Sequence, residues 1–382
     1  MMTAQAAPDP DRPFLRIGRD RLILWAGALF VVGLVPIVLT WNVATGDLSI
    51  LEAAGRAVGT PALLHPDPVY NAFEYMPGAA WLCVPLAHLA HPVAFWCNAV
   101  VMLGCAIAAA LVAARIYGVT PTAAMALTLA WAPLTNAVVL GQNAPLGLLL
   151  ALTTTLGLAR GSTLMTAIPL GLLMYKPTFA LPLLAVVVLF GRWRALGIVA
   201  LIGAGWYGAS IAATGGNVRW PVEWLAMTAA YSAPDFAHNV EKAVSIPGLL
   251  HRVGIAWGPI AIVIAACAAA AIVPLRRANV REAASAACAI GLAISPHAWG
   301  YDAVLLLPLI FVAATSLREP ARTPIVVAAY LSALLVNYTS ALHFDVVAIW
   351  VIGGSLAWIV AGYRGYAGTA RAGIDNDGAA IA

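Results

Sequence analysis

Runs of valine, leucine, isoleucine and alanine alternate with short polar breaks along most of this chain. The runs read as membrane spans at 22–41, 93–114, 121–140, 144–159, 162–175, 177–190, 195–213, 257–274, 283–295, 302–316, 324–341 and 346–362. A helix needs about 20 largely apolar residues to cross a bilayer. Several of these runs fall short of about 18 residues, so their ends must reach into interfacial residues or the bilayer must thin locally. The stretch 79–90 is apolar but shorter still, and whether it crosses decides the topology.

Composition agrees with the pattern: 62% of the 382 residues are apolar and only 9% are charged. A soluble domain carries about 25% charged residues, so this chain has too little charge to cover a water-facing surface. It is an all-α polytopic membrane protein, not a secreted disulfide scaffold, a disordered regulator or a nucleic-acid-binding domain. The five cysteines lie singly in apolar runs without a CxxC pair and read as small buried hydrophobes. No cleavable signal is evident, because the first apolar run is long enough to stay as an anchor.

Net charge is only +4, so its placement matters more than its size. Arg12, Arg16, Arg19 and Arg21 precede the first span and belong on the cytoplasmic side under the positive-inside rule. If 79–90 dips in without crossing, Arg115, Arg160, Arg192, Arg194, Arg276, Arg277, Arg281, Arg318, Arg322 and Arg364 all fall inside as well. If it crosses, that agreement is lost. The sequence therefore predicts about twelve crossings with both ends cytoplasmic and 79–90 as a re-entrant or interfacial piece. A cytoplasmic tail at 1–21 precedes the membrane domain at 22–362, and a Gly/Ala-rich tail at 363–382 reads as disordered.

Under this topology the remaining polar clusters share the outer face. They are Asp47, the 65–75 segment, Gly141-Gln142-Asn143, Lys176, the 214–256 loop, Ser295-Pro296-His297 and His343-Phe344-Asp345. The first outer loop reads as an amphipathic helix lying on the membrane, with Leu48, Leu51, Ala54 and Val58 in one stripe and Asp47, Glu52 and Arg56 interrupting it. The loop at 214–256 carries Trp220, Trp224 and Tyr231, aromatics suited to the headgroup region.

Asp47 has two readings, as a helix N-cap or as a general base whose pKa rises through partial desolvation. Lys176 lies in Tyr175-Lys176-Pro177 between two apolar runs, and the only other lysine is Lys242. It either snorkels to the interface or binds an anion such as a lipid phosphate. Gln142 and Asn143 either cap a helix or hydrogen-bond sugar hydroxyls. His297 is accompanied by Trp299, Tyr301 and Asp302. Histidine can orient a carboxylate or donate to phosphate, aromatic faces suit sugar rings, and Asp302 can cap the next span.

In this order these pieces resemble glycosyltransferase family 87, polyprenyl-phosphate-sugar-dependent transferases of the GT-C membrane fold. The matching residues are Gly46-Asp47, Phe73-Glu74-Tyr75-Met76-Pro77, Gly141-Gln142-Asn143, Tyr175-Lys176-Pro177 ahead of Arg192-Trp193-Arg194, and Ser295-Pro296-His297-Ala298-Trp299. The resemblance implies transfer of a mannose-like hexose from a polyprenyl-phosphate sugar to a glycolipid or glycan acceptor. It sets the protein in the cell membrane with its site facing the periplasm or exterior. By similarity Asp47 is the base, Lys176 and His297 meet the donor phosphate, and Gln142 and Asn143 line the sugar pocket. Glu74, Tyr75, Trp299, Tyr301 and Asp302 join the sugar and acceptor contacts.

The leaving phosphate is already an anion and needs cationic and hydrogen-bonding groups, not a general acid. Direct displacement would invert the anomeric centre. Without a DxD-like motif, and with no pyrophosphate to bridge, neither metal nor cofactor is expected. A transporter or flippase and a non-catalytic envelope scaffold are the competing readings. A transporter would place ionisable residues near the midplane and often show inverted repeats.

Overall fold

A computed structural model describes residues 46–66, 72–239, 242–255, 273–317 and 322–339, with a few isolated residues besides. The spans expected at 22–41 and 346–362, most of 257–274, both tails and His343-Phe344-Asp345 lie outside the described residues. Within them the chain is helical, with no strand beyond one isolated bridge between Ala243 and Trp299.

The helices, in order, are α1 (Gly46–Ala57), α2 (His91–Tyr117), α3 (Pro121–Leu129), α4 (Ala132–Val139), α5 (Ala144–Arg160), α6 (Thr163–Leu173) and α7 (Pro177–Leu189). There follow α8 (Trp193–Ala213), α9 (Trp220–Asn239), α10 (Ile246–Arg252), α11 (Val280–Ile294), α12 (Leu307–Ser316) and α13 (Arg322–Thr339). Most match an apolar run of the sequence.

Among the described residues, α2 and α8 are each long and apolar enough to cross a membrane alone, and α3 with α4 qualifies as a pair bent by 64°. The other apolar helices run shorter, so length alone does not reach twelve crossings. The bend splits what the sequence presents as one run at 121–140. Pro133 supplies no N–H for the Leu129 carbonyl and its ring crowds that carbonyl, so the ladder breaks at Ala130–Trp131.

One face of α2 buries Ala94, Asn98, Ala106, Ala109 and Ala113, whereas Trp96, Val100, Ile107 and Leu111 are exposed. Water would penalise so apolar an outer face, while lipid accepts it; small residues let neighbouring helices approach. The same logic sets α7 against α11, where a Cβ on Gly291 would meet Pro182 Cγ at 2.1 Å.

The stretch 79–90 falls in a 3₁₀ helix, Pro77–Cys83, and a one-turn helix, Val84–Ala87. Eleven residues at about 1.5–2 Å each cannot span about 30 Å of hydrocarbon. Two other expectations change. The α1 stripe of Leu48, Leu51 and Ala54 is buried within the protein, not laid on a membrane, and a Cβ on Gly55 would lie 2.5 Å from the Cys83 carbonyl oxygen. Of the five cysteines, all free thiols, only Cys83 and Cys288 are buried.

Candidate active site

The site gathers where α5, α7 and α11 share an end. Asn143 precedes α5, Lys176 precedes α7 and Ser295 follows α11, while Arg160, Arg192 and Arg281 mark the opposite ends of these helices. Four carboxylates, Asp47, Glu74, Asp235 and Asp302, collect there with Lys176 and His297.

Asp47 stands in the first turn of α1 instead of preceding it, and its Oδ2 accepts from Gln142 Nε2 at 3.0 Å. The Tyr75 hydroxyl donates to Gln142 Oε1 at 2.8 Å. Met76 N–H donates to the Tyr175 carbonyl at 3.0 Å, which ties this strip of the first outer loop to the α6–α7 turn. Asn143 occupies the N-cap position of α5 without a side-chain cap bond. Its carbonyl and Oδ1 instead accept from the Tyr175 hydroxyl at 3.2 and 3.3 Å.

Below this wall, Lys176 Nζ donates to Asp302 Oδ1 at 2.5 Å, with the aspartate side chain wholly buried and the lysine side chain 10% exposed. The ammonium also sits over the rings of Phe179, Tyr75 and Tyr301, at 4.3, 5.6 and 5.8 Å. Gly147 makes room for this arrangement, since a Cβ there would lie 2.7 Å from the Phe179 ring. Lys176 therefore neither snorkels nor stands unpaired. The other Asp302 oxygen accepts the Trp299 backbone N–H at 3.1 Å, so this carboxylate also caps the 3₁₀ helix Gly300–Leu306.

His297 closes the circuit. Its Nε2 lies 2.5 Å from Glu74 Oε2, and its Nδ1 lies 3.3 Å from Asp235 Oδ2. Trp299 Nε1 is 2.6 Å from the same Nε2. One ring nitrogen serves one of these partners at a time: the imidazolium donates to Glu74, and only the neutral ring can accept from the indole. Burial favours the neutral ring, but Glu74, Asp235 and Asp302 outweigh it, so the imidazole pKa is raised above its ordinary value. That shift favours the imidazolium pairing with Glu74 over the neutral ring that accepts from the indole.

Asp235 escaped the sequence reading. It lies on α9, one turn beyond Tyr231, and is buried with Oδ1 accepting from Asn239 Nδ2 at 2.8 Å. Lys242 in turn donates to Asn239 at 2.8 Å, and Val244 N–H donates to the Ala298 carbonyl at 2.9 Å, which pins the second outer loop onto the His297 turn. The available signal was an acid in a largely apolar helix whose only other acid is Glu223. Burial raises the carboxyl pKa of both Asp47 and Asp235. Gln142, Lys242 and His297 oppose the rise at Asp47, and Asp302 adds to it.

All ten residues singled out in the sequence thus fall in one neighbourhood. Asp47, Glu74, Tyr75, Asn143, His297 and Tyr301 are partly exposed along the rim, and Gln142, Lys176, Trp299 and Asp302 form a buried floor. No three His, Cys, Asp or Glu side chains among the described residues are grouped to hold one metal ion.

The sequence model of glycosyltransferase family 87 matches residues 73–296, more than half of the chain. The match holds Glu74, Tyr75, Gln142, Asn143, Lys176 and Asp235, while Asp47 and His297–Asp302 flank it. No curated protein and no solved structure matches.

Proposed function

Since the chain belongs to glycosyltransferase family 87 and its apolar helices make it a membrane protein, we propose that it transfers a mannose-like hexose from a polyprenyl-phosphate sugar to a glycolipid or glycan hydroxyl. The site then opens on the outer face of the cell membrane, about twelve helices cross, and both tails stay cytoplasmic. Arginines at the far ends of α5, α7 and α11 support this orientation through the positive-inside rule.

One observation carries the chemistry. Of the four gathered carboxylates, Asp302 pairs with Lys176, and Glu74 and Asp235 lie against the His297 ring, all within 3.5 Å, whereas the direct partner of Asp47 is the neutral Gln142. A carboxylate held by a cation is a poor proton acceptor; one raised by burial beside a neutral amide is a good one. Asp47 takes the proton of the acceptor hydroxyl as that oxygen attacks the anomeric carbon. The C–O bond to the donor phosphate breaks, and the phosphate leaves with the electron pair from the face opposite to attack, so the anomeric centre inverts.

The leaving phosphate needs donors already in place. Lys176 gives one of its three N–H groups to Asp302 and keeps two for phosphate oxygens. His297, whose imidazolium form the neighbouring carboxylates favour, adds positive charge nearby when protonated. Trp299, Tyr301 and Asn143 offer aromatic faces and an amide to the sugar.

Purified protein incubated with a panel of polyprenyl-phosphate sugars should release polyprenyl phosphate with one of them. Lys176→Ala should raise the donor KM by about 10–100-fold, the worth of a hydrogen bond to a charged group, and Lys176→Arg should restore part of it. Transfer from nucleotide sugars alone would overturn the donor class, and movement of an intact substrate across the bilayer would favour the transporter reading.

A further inference from the structure

Gln142 is held more firmly than a polar turn requires. Its backbone follows Gly141, which adopts φ +76° and lies so close to α1 that a Cβ would sit 2.9 Å from Leu48 Cβ. The Gly141 carbonyl accepts from Asn98 Nδ2 at 3.0 Å, and Gln142 N–H donates to the Ala137 carbonyl at 2.8 Å. The side chain is buried, with its two amide ends committed to different partners. Turning the amide over would set a carbonyl oxygen against the Asp47 carboxylate. The Tyr75 hydroxyl, donating to Oε1, favours the orientation that points the NH₂ group at Asp47.

We infer that Gln142 is a positioning residue for the base: it holds Asp47 Oδ2 and leaves Oδ1 for the acceptor proton, while Tyr75 fixes which way the amide faces. This rests on the assignment of Asp47 proposed above. It also gives Gln142 a task other than lining the sugar pocket.

The surrounding charges agree with that task. Burial raises the Asp47 carboxyl, and the amide bond opposes the rise, together with Lys242 and His297 and against Asp302. Among the described residues Tyr75, Tyr231 and Tyr301 also face it, and burial holds all three hydroxyls above their ordinary range. Asp47 must lose its proton to act, so turnover rises with pH as it ionises. Any change that removes the amide donor shifts that rise to higher pH.

The test is the pH dependence of kcat, with donor and acceptor KM, in the full-length protein reconstituted in lipid. Gln142→Leu should move the acid limb up by about one to two pH units, the worth of a hydrogen bond to a charged group. Gln142→Glu keeps the shape and the Tyr75 bond but sets a second carboxylate against the first, so it should move the limb further still. Tyr75→Phe, which loses one oxygen, should give a smaller shift in the same direction and covers the case in which a Gln142 variant fails to fold. Variants that change KM and leave the limb in place would make Gln142 a sugar-lining residue and overturn the inference. Asp47→Asn separates the two levels: near-normal turnover there defeats the base assignment itself, whereas a collapse there with unmoved limbs in the other variants defeats only the role of Gln142.

Discussion

Asp47 and Asp302 are both aspartates in the first turn of a helical segment, a few side chains apart, yet they meet opposite fates. Asp302 is wholly buried and bound on one oxygen by Lys176 and on the other by the Trp299 backbone. Asp47 stays partly exposed on the rim and shares one oxygen with an amide. A buried ion pair holds its charges because losing either partner strands the other without solvent. A desolvated carboxylate with only a neutral neighbour sits nearer the balance between its two protonation states. On the proposed mechanism the difference gives structure and charge placement to one aspartate and proton transfer to the other, and it favours Asp47 over Glu74 or Asp302 as the base.

Exchanging each for its amide probes this contrast most directly. Asp47→Asn preserves size and hydrogen bonding and should lower turnover by about 10²–10⁴-fold, the usual worth of general base catalysis. Unfolding stability should barely move. Asp302→Asn leaves the Lys176 ammonium without its anion and should cost about 3–5 kcal/mol in denaturant unfolding of the detergent-solubilised protein. If Asp47→Asn unfolds the protein while Asp302→Asn only slows it, the assignments must be exchanged.

A finer test reads both limbs of the pH profile. Activity should rise as Asp47 ionises, above the ordinary aspartate range because burial raises its carboxyl. It should fall as His297 loses its proton, above the ordinary histidine range because Glu74, Asp235 and Asp302 together outweigh its burial. Asp235→Asn removes one of those carboxylates, so the alkaline limb alone should move to lower pH, by about a unit or less. A shift of the acid limb instead would link Asp235 to Asp47 and not to His297.

Much of this was legible in the sequence because apolar runs dictate helices whatever they pack against. The α5, α6 and α7 boundaries fall within two residues of their expected spans. The α3–α4 bend was not legible: 121–140 reads as one span, because a proline in an apolar run, here Pro133, does not tell whether or how far the chain turns. The polar clusters were legible as a set, since few polar residues interrupt the spans. Their pairing was not: Lys176 meets Asp302 across 126 positions and Asp47 meets Gln142 across 95, distances that only packing can close. Asp235 was hidden for a related reason. Its stretch carries several aromatics that mark a membrane interface, and nothing local indicates that one acid on that helix turns toward a histidine over sixty residues away.

The close approach of Gly141 to Leu48 makes the active chemistry hostage to a residue that takes no part in it. A methyl group at that position meets both an unfavourable backbone angle and the side chain it must displace. Relief would come by parting the turn from the helix it touches, and Asp47 and Gln142 would separate with them. Such a protein would retain every acid, amide and cation of the site in its sequence, and a roll-call of functional residues would judge it competent. Loss of activity would then trace to spacing, and a comparison of distant relatives that scores only the polar residues would overlook it.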